Sequence, residues 1–199
     1  MPITYTNRKG TTYTLCMGKT KTGKPRYFFS REPKDEVLDQ LPAGYKITES
    51  INGIVSCTSD RPGKILADEL VVVEQILSHH PSAAQYRLNV RPDRIEVHEA
   101  TIQDIADVFG SLTGRGDGFP DFSPAVVQRF RERQIRKAQY SPVMQFILVD
   151  DVQRLFGAQR WCYRSSVDGW LRVDHADKLA ALAARLIPRL GTETFFDLF

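Results

Sequence analysis

The chain has 199 residues, of which 42% are apolar, and a formal net charge of +3. That apolar fraction is large enough for a folded core and argues against a disordered chain. No apolar run approaches the roughly 20 residues that span a bilayer, and the N-terminus lacks the apolar stretch of a signal peptide. We therefore expect a cytoplasmic protein without a membrane partner.

The charge is unevenly distributed along the chain. Residues 1–31 contain seven basic residues and no Asp or Glu, whereas the rest of the chain has a net charge of −4. An imbalance of this kind indicates an anionic partner for the basic segment. The seven basic residues are Arg8, Lys9, Lys19, Lys21, Lys24, Arg26 and Arg31.

The first 60 residues have the pattern of short strands joined by tight turns. Asn52-Gly53 is a strong hairpin signal, and Gly10 suits a turn that needs a positive φ. Acidic residues at the start of 32–41, followed by Leu41-Pro42-Ala43-Gly44, predict one short helix. The β-branched and aromatic runs predict strands over 3–6, 11–17, 25–30, 45–47 and 54–57.

The remaining residues alternate between helical and strand periodicity. Pro62-Gly63 punctuates a boundary at 59–63, and Ser123-Pro124 is a helix start. The predicted helices are 64–78, 101–109 capped by Thr101, 123–139, and one from Asp174 or Asp177 to 187, with a last turn in 192–198. The predicted strands are 86–90, 95–97, 143–149 as an apolar central strand, 155–163 and 170–173, and 111–122 is predicted to be a loop.

These elements predict an α+β fold in two parts. Residues 1–60 would form a small, basic, antiparallel β-rich module, and residues 64–199 a larger α+β body with a mostly antiparallel sheet. The sequence leaves the oligomeric state open.

One run matches the spacing of a phosphate-binding loop without its chemistry. Gly18-Lys19-Thr20-Lys21-Thr22-Gly23-Lys24 has the G-x-x-x-x-G-K pattern, but Pro25 stands where a Ser or Thr hydroxyl should bind magnesium. The motif also needs a following helix, whereas residues 25–30 have a strand pattern. We therefore interpret the run as a lysine-rich hairpin loop.

The sequence contains no recognisable metal or catalytic set. Its four histidines lack the recurring spacings of metal ligands, and its three cysteines, in predicted strands, form no C-x-x-C pair and suit buried positions. We expect no cofactor and no metal, and lean against an enzyme without excluding one. The histidines are His79, His80, His98 and His175, and the cysteines are Cys16, Cys57 and Cys162.

Two basic surfaces remain as candidates for binding. The N-terminal module combines lysines and arginines in turns with aromatic residues in strands, which suits phosphates and stacked bases; about half of these aromatics would instead form its core. The helix at 123–139 places cations on one face, although Glu132 can pair with two of them. Those cations are Arg129, Arg133, Arg136 and Lys137.

The N-terminal segment is similar to the opening of a set of uncharacterised bacterial proteins. The similarity lies in YTNRKG at 5–10, GKTKTGKPRYFFS at 18–30 and LPAGY at 41–45, and it implies no established activity. At the level of fold alone, strands with Lys/Gly loops and a short helix also resemble the β-sheet DNA-binding modules of phage-type integrases. The chain lacks the Arg-His-Arg-Tyr catalytic set of those enzymes.

These observations favour a non-catalytic nucleic-acid-binding protein that uses its N-terminal module. The alternative is a protein–protein interaction or regulatory factor without nucleic-acid binding, and an enzyme of unfamiliar type ranks third. Adjacent hairpin ends of a small sheet can lie at one edge, an arrangement that would merge the two basic clusters. The candidate nucleic-acid-binding residues are Arg8, Lys9, Lys19, Lys21, Lys24 and Arg26.

Overall fold

The computed structural model describes residues 1–33, 35–103, 123–164 and 167–197. The chain divides into two compact units, Met1–Pro62 and Gly63–Phe199. Both contain antiparallel sheets and the second adds helices, so the predicted α+β fold is confirmed. Within the described part of the chain, no helix has the length and apolar character needed to cross a membrane.

The first unit consists of a small sheet and a hairpin. β2 is the central strand of the small sheet, with β3 on one side and β1 followed by β4 on the other. The hairpin is formed by β5 and β6. The strands are β1 (Thr4–Thr6), β2 (Thr12–Lys19), β3 (Pro25–Ser30), β4 (Glu36–Val37), β5 (Tyr45–Glu49) and β6 (Val55–Ser59).

The predicted hairpins of this unit are confirmed, and glycines form their turns. Gly10 has a φ of 77° and Gly53 a φ of 79°, values that residues with a Cβ adopt at a cost. The Gly53 amide donates a 2.9 Å hydrogen bond to the Ser50 carbonyl, which closes this turn. Hairpin signals depend on three or four adjacent residues, which explains why the sequence located them.

The helix predicted over 32–41 is wrong. Among its described residues, Glu36 and Val37 form β4, which pairs with Cys16 and Met17 of β2. Leu38 continues this pairing, because its amide donates to the Leu15 carbonyl over 3.0 Å. Sheet pairing with a distant strand therefore overrides the local helical pattern.

The second unit is built on a five-stranded antiparallel sheet in the order β11-β10-β9-β8-β7. β9 is the central strand, as predicted for the apolar run 143–149. The strands are β7 (Tyr86–Arg91), β8 (Arg94–Ala100), β9 (Tyr140–Asp150), β10 (Leu155–Arg164) and β11 (Val167–Arg172). The helices are α1 (Ala67–Ser78), α2 (Pro124–Lys137), α3 (Leu179–Leu186) and α4 (Glu193–Phe196), with 3-10 turns at Ala83–Gln85 and Ile187–Arg189.

The core of the second unit lies between one face of this sheet and the helices α1 and α3. Val73 and Leu77 of α1 pack against strand residues such as Phe146 and Phe156, and all four are buried. Leu182 of α3 is fully buried in the same cluster. Alternate strand residues therefore point to this core, and the residues between them occupy the opposite face of the sheet.

Two predicted helix starts are displaced. α1 begins at Ala67 rather than at residue 64, and the Glu69 carboxylate accepts a 2.8 Å hydrogen bond from the Leu66 amide at its start. α3 begins at Leu179, because Asp177 instead forms an isolated bridge with Phe156. Of the helix predicted over 101–109, residues 101–103 are not helical; its remainder and the loop predicted over 111–122 lie outside the described residues.

Candidate functional site

The phosphate-loop-like run forms a tight hairpin loop between β2 and β3, as predicted. The Thr20 amide donates to the Lys24 carbonyl over 2.8 Å, and the Lys24 amide donates to the Thr20 hydroxyl over 3.1 Å. Gly23 closes the turn with a φ of 79°. Strand β3 follows directly, so the loop does not lead into a helix and the run cannot hold a nucleotide phosphate in the P-loop manner.

This loop presents an exposed cationic surface, which we name the basic loop: Lys19, Lys21, Lys24 and Arg26. All four are exposed, and none makes an ion pair with a residue that the structure describes. The Arg26 guanidinium carbon lies 5.6 Å from the centre of the Phe28 ring, a cation–π contact that holds it over β3.

Carboxylates bound the basic loop on one side. The Asp35 carboxyl lies beside Gly18, 3.9 Å from the position that a Cβ would occupy on this glycine. Glu36 is the strand partner of Met17. The cations therefore extend from the end of the hairpin, while the acidic side chains lie along its β4 side.

The two basic clusters do not merge, because their turns lie at opposite ends of β2. The turn that carries Arg8 and Lys9 precedes β2, whereas the basic loop follows it. Eight residues of extended chain place the clusters about 23 Å apart. Successive hairpins that share a strand necessarily turn at opposite ends of it.

Arg8 also has a structural role in the first unit. Its guanidinium donates to the Ser50 carbonyl over 2.9 Å and lies 3.5 Å from the Glu49 carboxylate, while its amide donates to the same carboxylate over 3.1 Å. Lys9, in the same turn, is exposed and has no ion pair with any described residue. Arg8 therefore connects the first turn to the β5–β6 hairpin and is partly neutralised.

The aromatic residues of the first unit are half-buried. Tyr27 makes an edge contact with Tyr45 at 4.9 Å between ring centres, and the Tyr5 hydroxyl donates to Glu49 over 3.0 Å. Phe28 and Phe29 lie on opposite faces of β3 by alternation. These rings mainly join the sheet to the hairpin, so the basic loop contacts a ligand chiefly through its charges.

The helix α2 is the second basic surface predicted from the sequence. It has no buried residue, and its cations are exposed. Glu132 accepts a 3.0 Å hydrogen bond from Gln128, and no ion pair joins it to Arg129 or Arg136. The partial neutralisation expected from Glu132 therefore does not occur through direct pairing.

A row of polar side chains crosses the sheet of the second unit on the face opposite the core. The strand registers place one member on each of the five strands, so that each is paired with the next. Two hydrogen bonds of 2.7 Å run along it, from Asn89 to Glu96 and from Gln145 to Gln159. We name this set the polar row: Asn89, Glu96, Gln145, Gln159 and Arg172.

Glu96 is the charged centre of this row and is 8% exposed. Its carboxylate accepts hydrogen bonds from Arg91 and Arg94, each at 3.3 Å, and from His98 at 3.1 Å. Burial would raise the pKa of the Glu96 carboxyl, but the hydrogen bonds from His98 and Asn89 and the charge of Arg91 outweigh it and lower the pKa to about 2. Glu96 is therefore an anion at all ordinary pH values.

His98 is fixed by the same carboxylate. Because a carboxylate only accepts, Nε2 carries the proton in their hydrogen bond, and Nδ1 of the neutral ring is then an acceptor. Nδ1 is buried and has no hydrogen-bond partner among the residues described. A buried polar atom of this kind costs about 1–3 kcal/mol until a partner reaches it.

Next to the polar row lies a pair of tryptophans, which are the two tryptophans of the chain. Trp161 and Trp170 are cross-strand partners with ring centres 5.2 Å apart at 87°, and both are half-buried. By alternation they share the face of Gln159 and Arg172. We name the whole surface the polar face: the polar row with Arg91, Arg94, His98, Trp161 and Trp170.

The alternation of strand 95–97 puts Glu96 and His98 on its polar side, but the sequence alone did not identify this surface. A signal was present in Gln145, which interrupts the apolar run 143–149 and is 3% exposed. The cysteines are unpaired, with Cys16 and Cys162 buried and Cys57 half-buried. Among the described ranges, no three His, Cys, Asp or Glu side chains lie together as metal ligands would.

Comparisons with protein-family models, with curated proteins and with solved structures found no match to this chain. The similarity of its N-terminal segment to uncharacterised bacterial proteins therefore stays a prediction.

Proposed function

We propose that this protein binds nucleic acid without transforming it, and that the basic loop of the first unit contacts the phosphates. The observation that carries the proposal is the set of exposed cations at one hairpin end, Lys19, Lys21, Lys24 and Arg26, which have no ion pair in the described chain. Unpaired cations release counterions from the phosphate backbone when they bind it, which favours association.

The same geometry reduces the number of residues that we expect to contact the nucleic acid. Arg8 already pairs with Glu49, and Lys9 lies in the turn at the other end of β2. Both therefore contribute less than the sequence-based hypothesis assigns to them. Lysines on phosphates position a nucleic acid without reading its bases, so we expect little dependence on sequence.

The test is the salt dependence of binding to duplex and single-stranded oligonucleotides. A plot of the logarithm of the binding constant against the logarithm of the salt concentration has a negative slope. For duplex DNA, each phosphate contact contributes about 0.9 to the size of that slope. Replacing Lys19, Lys21 and Lys24 by alanine should therefore reduce the slope by roughly 2 to 3.

Lys9→Ala is the matched control, because it removes an exposed lysine from the same unit at the opposite end of β2. We expect it to leave the slope nearly unchanged. Binding that the triple substitution does not alter, or no binding at low salt, would contradict the proposal and favour the protein-partner alternative.

A further inference from the structure

The polar face of the second unit has features that a purely structural sheet surface does not need. Glu96, His98 and Gln145 are buried on the side of the sheet away from the apolar core. Buried polar groups cost free energy unless hydrogen bonds satisfy them, and the His98 Nδ1 atom is not satisfied within the described residues. These buried polar groups distinguish this face from a solvated sheet surface, where polar side chains are exposed to water.

The charge on this face selects an anionic ligand. Arg91 and Arg172 are exposed, and Arg94 is half-buried. The neighbouring carboxylates are Glu96, which contacts Arg91 and Arg94, and Asp93, 3.6 Å from Arg94. By alternation along their strands, Arg87 and Asp168 also lie on this face, and both are exposed. Four guanidinium groups against three carboxylates leave an excess positive charge, and Arg172 makes no ion pair with a described carboxylate.

The tryptophans select a ligand with planar groups. Trp161 and Trp170 expose part of their rings beside Gln159 and Arg172 on the same face. Aromatic rings on an antiparallel sheet stack with bases that are not paired in a duplex, and guanidinium groups nearby contact the phosphates. A duplex keeps its bases stacked on each other and cannot use this surface.

We infer that the polar face binds single-stranded nucleic acid, with Trp170 stacking on a base and Arg172 contacting a phosphate. This inference rests on the proposed function for the class of ligand, but it uses residues of the other unit and a different form of nucleic acid.

The experiment uses the full chain and the fluorescence of its two tryptophans, both of which belong to this face. Oligothymidylate and oligouridylate of about 12 nucleotides are titrated at low salt, a length within the range that one single-strand-binding module covers. Both strands should quench the fluorescence, and a duplex of equal length should not. If neither single strand quenches the fluorescence, the inference is wrong.

Substitutions then locate the site. Trp170→Ala should weaken single-strand binding about 5- to 150-fold and leave duplex affinity unchanged, whereas Trp170→Phe should retain most of the affinity. Arg172→Gln alters the polar face without removing a tryptophan ring. It should lower both the affinity for single strands and the salt dependence of that affinity. The matched control is Arg189→Gln, since Arg189 is exposed in the helical layer.

The outcomes separate this inference from the proposed function. If Trp170→Phe, Trp170→Ala and Arg172→Gln all bind single strands as the unaltered chain does, the inference is wrong. The proposed function would still stand if the lysine triple substitution reduced the salt slope. Conversely, single-strand binding that depends on Trp170 and Arg172 but not on the lysines supports the inference and rejects the basic loop.

Discussion

The two units of this protein are stabilised in different ways. Among the described residues, the first unit buries three apolar side chains, Leu15, Cys16 and Val55, whereas the second unit has a cluster of seventeen. The first unit compensates with hydrogen bonds between its hairpins. A fully buried core side chain contributes about 1.5–3 kcal/mol, so the second unit has by far the larger hydrophobic term.

Asn7 shows how the smaller unit is held together. It is buried, and its side-chain oxygen accepts hydrogen bonds from the amides of Lys9 and Thr11 at 3.0 and 2.9 Å. Its side-chain nitrogen donates to the Gly53 carbonyl over 2.6 Å. One amide group thus forms the first turn and connects it to the β5–β6 turn. In this unit, polar contacts supplement a small apolar core.

The largest expected effect on stability comes from a substitution in the core of the second unit. Phe146→Ala should lower the free energy of unfolding of the second unit by about 3–5 kcal/mol, because it removes a fully buried ring from the centre of the sheet. Denaturant unfolding followed by tryptophan fluorescence reports this unit specifically. Amide exchange in β2 should be unchanged if the units unfold independently.

Val152→Ala is the control, since Val152 is 92% exposed and should change stability by less than about 0.5 kcal/mol. An equal destabilisation of β2 by Phe146→Ala would instead show that the chain unfolds as one cooperative body. The contrast between the units would then have no thermodynamic meaning.

A smaller effect is expected at the polar row and depends on pH. The pKa of Glu96 is about 2 in the folded protein, below its ordinary value of 4.5. Its charge therefore stabilises the fold above about pH 4.5, by up to about 3 kcal/mol, and this stabilisation is lost as the pH falls through 2. Glu96→Gln should lose it at neutral pH and approach the unaltered chain in acid.

Urea unfolding between pH 7 and pH 2.5 measures this difference. Glu193→Gln serves as a control, because Glu193 is exposed and has no ion pair among the described side chains. A constant difference between Glu96→Gln and the unaltered chain over the whole pH range would show that the carboxylate charge is not the stabilising element.

The smallest of the three effects concerns the first unit. Asn7→Ala should destabilise it by about 1–3 kcal/mol, because the Gly53 carbonyl and two turn amides lose their partner. Amide exchange of β5 and β6 provides the measurement. Thr12→Ala, which removes an exposed hydroxyl contact with Thr6, should change exchange little; similar effects of the two substitutions would refute the role of Asn7.

The sequence was informative wherever a few adjacent residues determine the structure. The turns at Gly10 and Gly53 and the apolar strand around Phe146 follow from local patterns. The helix over 32–41 failed because Glu36 and Val37 pair with a strand twenty residues away. Local propensity carries no information on such pairing.

The candidate sites were predictable to different degrees for the same reason. The basic loop is continuous in sequence, so its cations could be found by counting charges. The polar row needs the registers of five strands at once, and a shift by one residue would move its members to the core face. The residues next to Asn89 or Arg172 in the sequence do not indicate that these two side chains belong to one row.

The strand order of the larger sheet has a consequence for how it assembles. Every strand pairs with its neighbour in the chain, from β7 to β11. Each pairing therefore closes a short connection, apart from the one between β8 and β9, and local pairings favour rapid folding. The entropy of closing the longer connection grows only logarithmically, by about 0.6 kcal/mol for a doubling of its length. The segment between β8 and β9 is thus where this sheet best tolerates insertion or shortening.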